Sequence, residues 1–332
     1  MCAHKNGHVP HGTIPPQDQS PKFQPIAIFG HLAGWAVMYS LGVAIILGEF
    51  LQHPITPSAL AYVAFCAHSG YLLDRIKFRD ADLDPADLMA DPRRHTYLRR
   101  HAQKLRVVMI AEWVLAMVIG FLMTPVLGIF VFSGIFAGYV YSGWKPGKVS
   151  RLKDIPGLKA FMVSAAVVGL GAAAVMGERV LEGEPYVWPD AMVLVCSLVG
   201  MGLVVFGDAV ICDLDDRESD GMHNTRSLPV LVGSRLAGWV GGGVLLVGGI
   251  VIVLGGIGGS DLQLRMVFAA TVVVSGLGIL RGGSVLGGQR DWIDGRMLVV
   301  AAGAILIYCP FHDKNDDFIG IVPFCTALSP VW

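Results

Sequence analysis

The sequence predicts an all-α integral membrane protein, in which about nine transmembrane helices form a bundle and two acidic loops lie on its cytoplasmic face. The first observation is composition: 54% of the 332 residues are hydrophobic, only 15% are charged, and the mean hydropathy is +0.59. The second is a series of apolar runs close to the roughly 20 residues that a bilayer core requires. The third is that basic residues gather between alternate runs. A soluble protein needs far more polar surface, so that class is excluded.

Charge, proline and glycine bound the apolar runs that are long enough to span a membrane. The predicted spans are Ile26 to Leu51, Pro57 to Leu73, Val107 to Thr124, Val126 to Tyr141, Leu158 to Met176, Trp188 to Cys212, Leu236 to Gly255, Met266 to Leu280 and Met297 to Phe311. In the seventh span, small residues at helical spacing (GWVGGGVLLVGG) indicate close packing against a neighbouring helix. The six cysteines lack paired short spacing, which argues against a disulfide framework and against a zinc site.

The distribution of Lys and Arg predicts the orientation of the spans. Nine basic residues lie within positions 75–106 and five within positions 145–159, whereas the loops on the other side hold only Arg179 and Arg265. Short cytoplasmic loops collect positive charge, so the loops after the even-numbered spans are predicted to be cytoplasmic. We therefore expect a multi-pass protein with a cytoplasmic N-terminus, located in the inner membrane if the source is bacterial.

The two ends of the chain differ from its apolar middle. Residues 1–25 are polar and proline-rich and contain no signal-peptide core, so they are predicted to form a disordered cytoplasmic tail. Residues 26–311 form the predicted transmembrane domain. Residues 312–332 follow a last span of only about 15 apolar residues and show no clear period, so they are predicted to be an atypical C-terminal tail.

An acidic stretch, DLDDRESDGMHNTRSLPVLVG, follows the sixth span. Asp213, Asp216 and Asp220 fall within an arc of about 60° on a helix, where they repel one another unless a cation neutralises them. Mg²⁺ suits a few carboxylates together with phosphate oxygens, which favours a metal-diphosphate site over the alternative, a solvated helix end. Asp208, one turn deeper in the apolar run, is ionisable at membrane depth and is predicted to contact a substrate.

Between the fourth and fifth spans lies a basic loop, YSGWKPGKVSRLKDIPGLK. Arg151, Lys153 and Lys159 are placed to reach an anionic group at the same membrane face and to clamp a diphosphate opposite the acidic stretch. The positive-inside rule makes such loops basic in any membrane protein. The loop is therefore informative only in combination with the carboxylates.

A second acidic exit follows the second span, in HSGYLLDRIKFRDADLDPADLMADPRR. Its carboxylates, Asp74, Asp80, Asp82 and Asp84, precede the other acidic stretch by four spans. Such an offset indicates an internal repeat whose two halves each contribute an acidic loop to one shared site.

Together these motifs resemble the UbiA superfamily of intramembrane prenyltransferases, from about Gly30 to Leu306. Asp213, Asp216 and Asp220 match the family's D-x-x-D-x-x-x-D pattern, and RLKDIPGLK is similar to its basic loop. The resemblance implies transfer of an isoprenyl group from a polyprenyl diphosphate to a small or lipid acceptor within the membrane, for quinone, pigment or lipid biosynthesis. It implies Mg²⁺ as the cofactor, and as partners the diphosphate, an unidentified acceptor and the lipid bilayer, but no nucleic acid.

The residues can then be assigned expected roles. The predicted metal ligands are Asp213, Asp216, Asp220 and Asp74. The predicted catalytic residues are Asp213, Asp216, Lys153 and Lys159. The predicted substrate-binding residues are Arg151, Lys153, Lys159 and Asp208. Stabilising the diphosphate leaving group with metal and basic side chains is the chemical reason for combining these residue types.

The first acidic exit departs from the family's N-D-x-x-D-x-x-x-D pattern. Leu73 precedes Asp74, and Lys77 and Ala81 stand where the second and third aspartates belong, so only Asp74 carries over. The carboxylates at positions 80–84 substitute for the missing ones if the loop folds back. Otherwise the first metal site is weakened, which leaves an unusual substrate or a non-catalytic lipid-binding or transport protein on the same scaffold as the alternative function.

Two polar residues within the spans carry open alternatives. Glu112, near mid-membrane in the third span, either lines an acceptor pocket or is a paired structural residue. His68 either faces a cavity or bonds a backbone carbonyl. Tyr139 and Tyr141 are assigned to an interfacial aromatic belt in preference to a lipid channel.

Overall fold

The computed structural model describes residues 25–53, 55–78, 91–142, 152–181, 189–222, 225–286 and 290–312. These residues form α-helices, short turns and one 3₁₀ turn, and they contain no β-strand. The helices are α1 (Pro25–His31), α2 (Gly34–Phe50), α3 (Pro57–Ile76), α4 (Pro92–Met123), α5 (Pro125–Ser142), α6 (Leu158–Leu181), α7 (Ala191–Cys212), α8 (Arg217–Met222), α9 (Leu228–Val232), α10 (Ser234–Leu254), α11 (Leu262–Leu286) and α12 (Arg290–His312). The 3₁₀ turn is Leu152–Asp154.

The predicted all-α membrane architecture is confirmed. Each predicted span overlaps one of the helices with 17 or more residues, and α4, α6, α7, α10 and α11 contain segments long and apolar enough to cross a membrane. The helices α2 and α5 are apolar but shorter. The number of membrane crossings, nine, stays a prediction, as does their orientation. The predicted tails lie almost wholly outside the described residues.

Capping residues explain where several helices begin. Thr56 and Asp91 stand directly before a first-turn proline, and their side-chain oxygens accept backbone N–H bonds from Ala59 (3.4 Å) and Arg94 (3.0 Å). The second cap starts α4 well before Val107, where the third membrane span is predicted to begin. No helix breaker follows Pro92, so the basic stretch and the apolar stretch form one helix of 32 residues, about 48 Å long.

Successive long helices run in opposite directions, which gives the bundle two ends. At one end, α7 finishes at Cys212 and α6 begins at Leu158; this is the Asp end, because it carries the acidic stretch. At the other end, called the opposite end, α2 finishes at Phe50 and α11 begins at Leu262. The first half of α2 packs beside the last turns of α7, since Tyr39 contacts Asp208.

A seam of glycines joins α7 to α10. A Cβ atom added to Gly207 would lie 2.8 Å from the carbonyl oxygen of Gly241, and one added to Gly248 would lie 2.9 Å from that of Gly200. The two backbones therefore touch, as small residues allow in membrane bundles. The close packing predicted from the glycines of the seventh span is present, and it fixes the helix that leads into the acidic stretch.

At the opposite end, a buried arginine ties four helices together. The sequence placed Arg265 in a loop, but it lies on α11 with its side chain fully buried. It pairs with Asp261 (2.5 Å) and donates to the Ser197 hydroxyl (2.9 Å) and the Ile252 (3.3 Å) and Phe50 (2.7 Å) carbonyls. All three guanidinium nitrogens have acceptors, so the charge is both neutralised and hydrogen-bonded.

Candidate functional site

The acidic stretch begins where α7 ends. A continuous helix was predicted through Asp213, Asp216 and Asp220, but α7 stops at Cys212 and residues 213–216 form a turn before α8. The turn keeps helix-like bonds, from the Asp213 N–H to the Ala209 carbonyl (3.0 Å) and from the Asp220 N–H to the Asp216 carbonyl (2.8 Å). The three aspartates consequently still share one side of the chain.

Their carboxylates converge on one ammonium group. The Nζ atom of Lys159, at the start of α6, lies 2.8 Å from Asp213 Oδ1, 3.6 Å from Asp216 Oδ2 and 3.1 Å from Asp220 Oδ2. Asp213 and Asp220 are buried. Three carboxylates around one ammonium leave a surplus of two negative charges, which is unfavourable in a buried place unless another cation joins them.

Burial has the largest effect on the Asp213 carboxyl. It raises the pKa of Asp213 above its ordinary value, and the neighbouring Asp216 and Asp220 act in the same direction. The Lys159 ammonium opposes this rise without cancelling it. One lysine therefore does not fully stabilise the ionised form of Asp213.

These residues fit a metal ion that also binds a substrate. Within the described part of the chain, no three His, Cys, Asp or Glu side chains already enclose a metal-sized space, because Lys159 stands between the aspartates. Mg²⁺ seldom receives an all-protein cage; it takes one or two carboxylates together with water and substrate phosphate. The acidic donor set suits that ion once the ammonium moves to another anion.

The basic loop lies beside the acidic stretch. The hydroxyl of Thr225 donates to Asp154 (3.2 Å), which joins the segment after α8 to the 3₁₀ turn. Of the three predicted clamp residues, only the Lys159 side chain can be located. Arg151 and the Lys153 side chain lie outside the described residues, so their assignments stay predictions.

The first acidic exit is built differently. Asp74, near the end of α3, pairs with Lys77 at 3.0 Å, and the Lys77 side chain is 7% exposed. Arg106 on α4 donates to the carbonyls of Lys77 (2.9 Å) and Ile76 (3.2 Å), which caps the helix end. Asp80, Asp82 and Asp84 lie outside the described residues, so their predicted compensating role is untested.

Tyr141, which the sequence assigned to an interfacial aromatic belt, interacts electrostatically with Asp74, Lys159 and Asp213. The two acidic exits therefore both act on the same phenol near the end of α5. Only the position of Tyr141 one residue before the end of α5 was visible in the sequence, and that position is typical of belt residues as well.

Asp208 is engaged by protein partners. Its carboxylate accepts from the Tyr39 hydroxyl (2.7 Å) and pairs with Arg296, which also donates to the Val272 carbonyl (2.7 Å) and the Ser275 hydroxyl (2.6 Å). The residue is buried. These contacts favour a structural role in joining α2, α7, α11 and α12 over the substrate contact expected from the sequence.

His68 and Glu112 form a further pair within the bundle. His68 Nε2 lies 2.9 Å from the Leu32 carbonyl, so this nitrogen carries a proton, and Nδ1 lies 2.7 Å from Glu112 Oε1. Of the alternatives left by the sequence, the backbone-bonded histidine and the paired glutamate are those present. The pair holds α3 and α4 against the break between α1 and α2.

Comparison with known proteins agrees with this architecture. The profile of the UbiA prenyltransferase family matches residues 36–291. A UbiA homolog from Aeropyrum pernix K1 in its apo form is similar with a TM-score of 0.60 and 16% identity, over 82% of this chain and 98% of that one. No curated protein matches the chain significantly.

Two structures of a UbiA homolog from Archaeoglobus fulgidus, each with 14% identity to this chain, are also similar. The one bound to DMAPP and Mg²⁺ has a TM-score of 0.56, and the one bound to GPP and Mg²⁺ has a TM-score of 0.57; each comparison covers 84% of this chain and 99% of that one. At such low identity these likenesses establish a shared fold.

Proposed function

The chain belongs to the UbiA prenyltransferase family, and from this premise we propose that it transfers an isoprenyl group from a polyprenyl diphosphate to a small or lipid acceptor within the membrane. Quinone, pigment and lipid biosynthesis are the processes that use such products. The observation that carries the proposal is the surplus of negative charge at the Asp end, where three carboxylates surround one ammonium.

Mg²⁺, when bound by Asp213, Asp216 and Asp220, would neutralise the diphosphate and stabilise it as a leaving group. The protein's own side chains supply the rest. Lys159 leaves the carboxylates and donates to diphosphate oxygens, which places a positive charge where the departing group gains negative charge. The turn at residues 213–216 holds the carboxylates of Asp213 and Asp216 just beyond the end of α7, beside Lys159.

The helices below the site provide the apolar surroundings that the reaction needs. Breaking the allylic C–O bond leaves an electron-deficient carbon, and water would capture it before an acceptor does. The middle parts of α2 and α7 contribute apolar side chains to this interior, where Val43, Val204 and Val205 are fully or almost fully shielded. The isoprenyl chain is proposed to extend between the helices on this side, with the acidic face cytoplasmic as the basic loops predict.

Binding in detergent tests the proposal directly. Purified protein is titrated with a panel of isoprenyl diphosphates with and without Mg²⁺, alongside Asp213→Asn and, as a matched control from the same turn, the exposed Asp215→Asn. We expect Mg²⁺-dependent binding that Asp213→Asn weakens at least about a hundredfold, more than the loss of an outer-shell partner costs, whereas Asp215→Asn retains it. Equal binding by both variants would contradict the proposal.

A non-catalytic lipid-binding protein is the second candidate, favoured by the lysine at the first acidic exit. It predicts a different result in the same preparation. Isoprenoid lipids without a diphosphate would bind as well as the diphosphates, and neither Mg²⁺ nor Asp213→Asn would change their affinity.

A further inference from the structure

The two acidic exits hold their lysines in different ways. Lys159 reaches Asp213 and Asp220 from another helix, so the contact joins elements that are far apart in sequence. Lys77 is three residues from the carboxylate that it pairs with, Asp74, and lies directly after the end of α3. Lys159 can leave its carboxylates when an anion that binds it more tightly arrives. The Lys77–Asp74 pair, by contrast, is part of the end of a single helix.

The backbone around Lys77 is held in an unusual conformation. Its φ of 48° lies in the left-handed region, which a residue with a long side chain rarely adopts. Arg106 fixes this conformation by donating to the carbonyls of Lys77 and Ile76. The lysine side chain is 7% exposed and pairs with Asp74, one turn earlier on α3.

Asp74 nevertheless lies on the same side of the bundle as the second motif. A Cβ atom added to Gly138 on α5 would lie 3.2 Å from the Leu73 side chain on α3, so the last turns of these two helices touch beside Asp74. Tyr141, at the end of α5, interacts electrostatically with Asp74 and also with Asp213 and Lys159. The charge at Asp74 is therefore relevant to whatever anion binds there. That carboxylate already has a positive partner within the protein, since the Lys77 ammonium donates a hydrogen bond of 3.0 Å to its Oδ1 atom.

We propose that the ammonium of Lys77 takes the place of a metal ion at Asp74, so that the site binds an isoprenyl diphosphate with a single divalent ion, held by Asp213, Asp216 and Asp220. The inference rests on the proposed function, because it concerns the same diphosphate. Lys77 supplies a fixed positive charge where an acidic first motif would hold a second ion. Among the described residues, Asp74 is the one carboxylate at this helix end, and the Lys77 ammonium lies 3.0 Å from its Oδ1 atom, where it competes with a metal ion for that oxygen.

Counting bound ions tests the inference. The full chain in detergent is saturated with a non-hydrolysable isoprenyl thiodiphosphate and titrated with Mn²⁺, and bound ions are counted by electron paramagnetic resonance. We expect one ion per chain that depends on the thiodiphosphate. Two such ions per chain would overturn the inference while leaving the proposed function intact, and no binding of the thiodiphosphate at any Mn²⁺ concentration would overturn the proposed function itself.

Two substitutions of Lys77 test its effect on the number of bound ions. Lys77→Asp adds a second carboxylate three residues after Asp74 and should raise the number of bound ions from one to two. Lys77→Gln removes the charge without adding a ligand. It should keep one ion while weakening thiodiphosphate binding about tenfold, because the Asp74 carboxylate loses its positive partner and repels the bound diphosphate. Lys104→Asp, at an exposed position on α4, is the matched control and should change neither quantity.

Each variant has an outcome against the inference. If Lys77→Asp elutes as a folded, monodisperse protein and still binds one ion, or if Lys77→Gln retains full affinity, Lys77 does not replace a metal. Should Lys77→Asp fail to fold, the wild-type count and Lys77→Gln still decide the question.

Discussion

Both ends of the bundle bury a basic side chain beside carboxylates, but the charges balance at only one of them. At the opposite end, Arg265 meets the single carboxylate of Asp261, and each of its nitrogens donates to an acceptor. At the Asp end, Lys159 meets three carboxylates. A balanced and fully bonded pair has no capacity left for a ligand, whereas a surplus of buried negative charge favours binding of a further cation.

The difference gives a way to separate structural from functional ion pairs in a membrane bundle. Both kinds are buried and both join helices that are distant in sequence. Removing the basic residue should therefore have opposite consequences at the two ends: loss of stability where the charges balance, and a gain in metal affinity where they do not. The following predictions test this contrast, beginning with the largest effect.

Arg265→Met should lower the free energy of unfolding by about 3–5 kcal/mol, because it leaves the Asp261 carboxylate buried without its charge partner. Unfolding in mixed detergent, followed by tryptophan fluorescence, measures this. The double variant Arg265→Met with Asp261→Asn should recover part of the loss, since it removes the orphaned charge. An unchanged unfolding curve for Arg265→Met would show that the balanced pair does not stabilise the fold.

Lys159→Met should raise the affinity for Mg²⁺ in the absence of diphosphate by about tenfold, because the ammonium no longer competes for the carboxylates. The affinity for isoprenyl diphosphate should fall at the same time, since a clamp residue is lost. Calorimetric titration measures both, with Lys104→Met as the control. A lower Mg²⁺ affinity in Lys159→Met would remove the distinction between the two ends.

Tyr39→Phe should cost only about 1 kcal/mol of stability, because Asp208 keeps its pairing with Arg296. Mg²⁺-dependent diphosphate binding should be unchanged. This variant tests whether the pair of Asp208 with Arg296 is structural or part of the substrate site. If diphosphate binding is lost in folded protein, Asp208 is part of the substrate site, as the sequence suggested, and not a balanced structural pair.

The sequence was most informative about structural features that a single segment of the chain determines. Hydropathy located the long helices, and the spacing of Asp213, Asp216 and Asp220 predicted that their carboxylates converge. The turn after Cys212 was not predictable, because neither proline nor glycine marks it and the helical period continues through it. The three carboxylates converge although the helix ends earlier than predicted, because the turn retains helix-like hydrogen bonds.

Contacts between residues of several different helices could not be predicted from the sequence. Arg265 looked like a loop cation because it precedes an apolar run, and its partners come from three other helices. Lys159 could not be separated from Arg151 and Lys153, since every cytoplasmic loop is expected to be basic. Tyr141 gave no signal beyond its position near a helix end. In each case the missing information was which helices are neighbours.

The glycine seam between α7 and α10 also limits how this sequence can change over evolution. With Gly207 against Gly241 and Gly200 against Gly248, the two backbones leave no space for a side chain between them. Any side chain added at these four positions would push the helices apart and displace the end of α7, where the acidic stretch begins. We therefore expect the four glycines to resist substitution in descendants of this protein, even where residues on the other faces of α7 and on the neighbouring helices change.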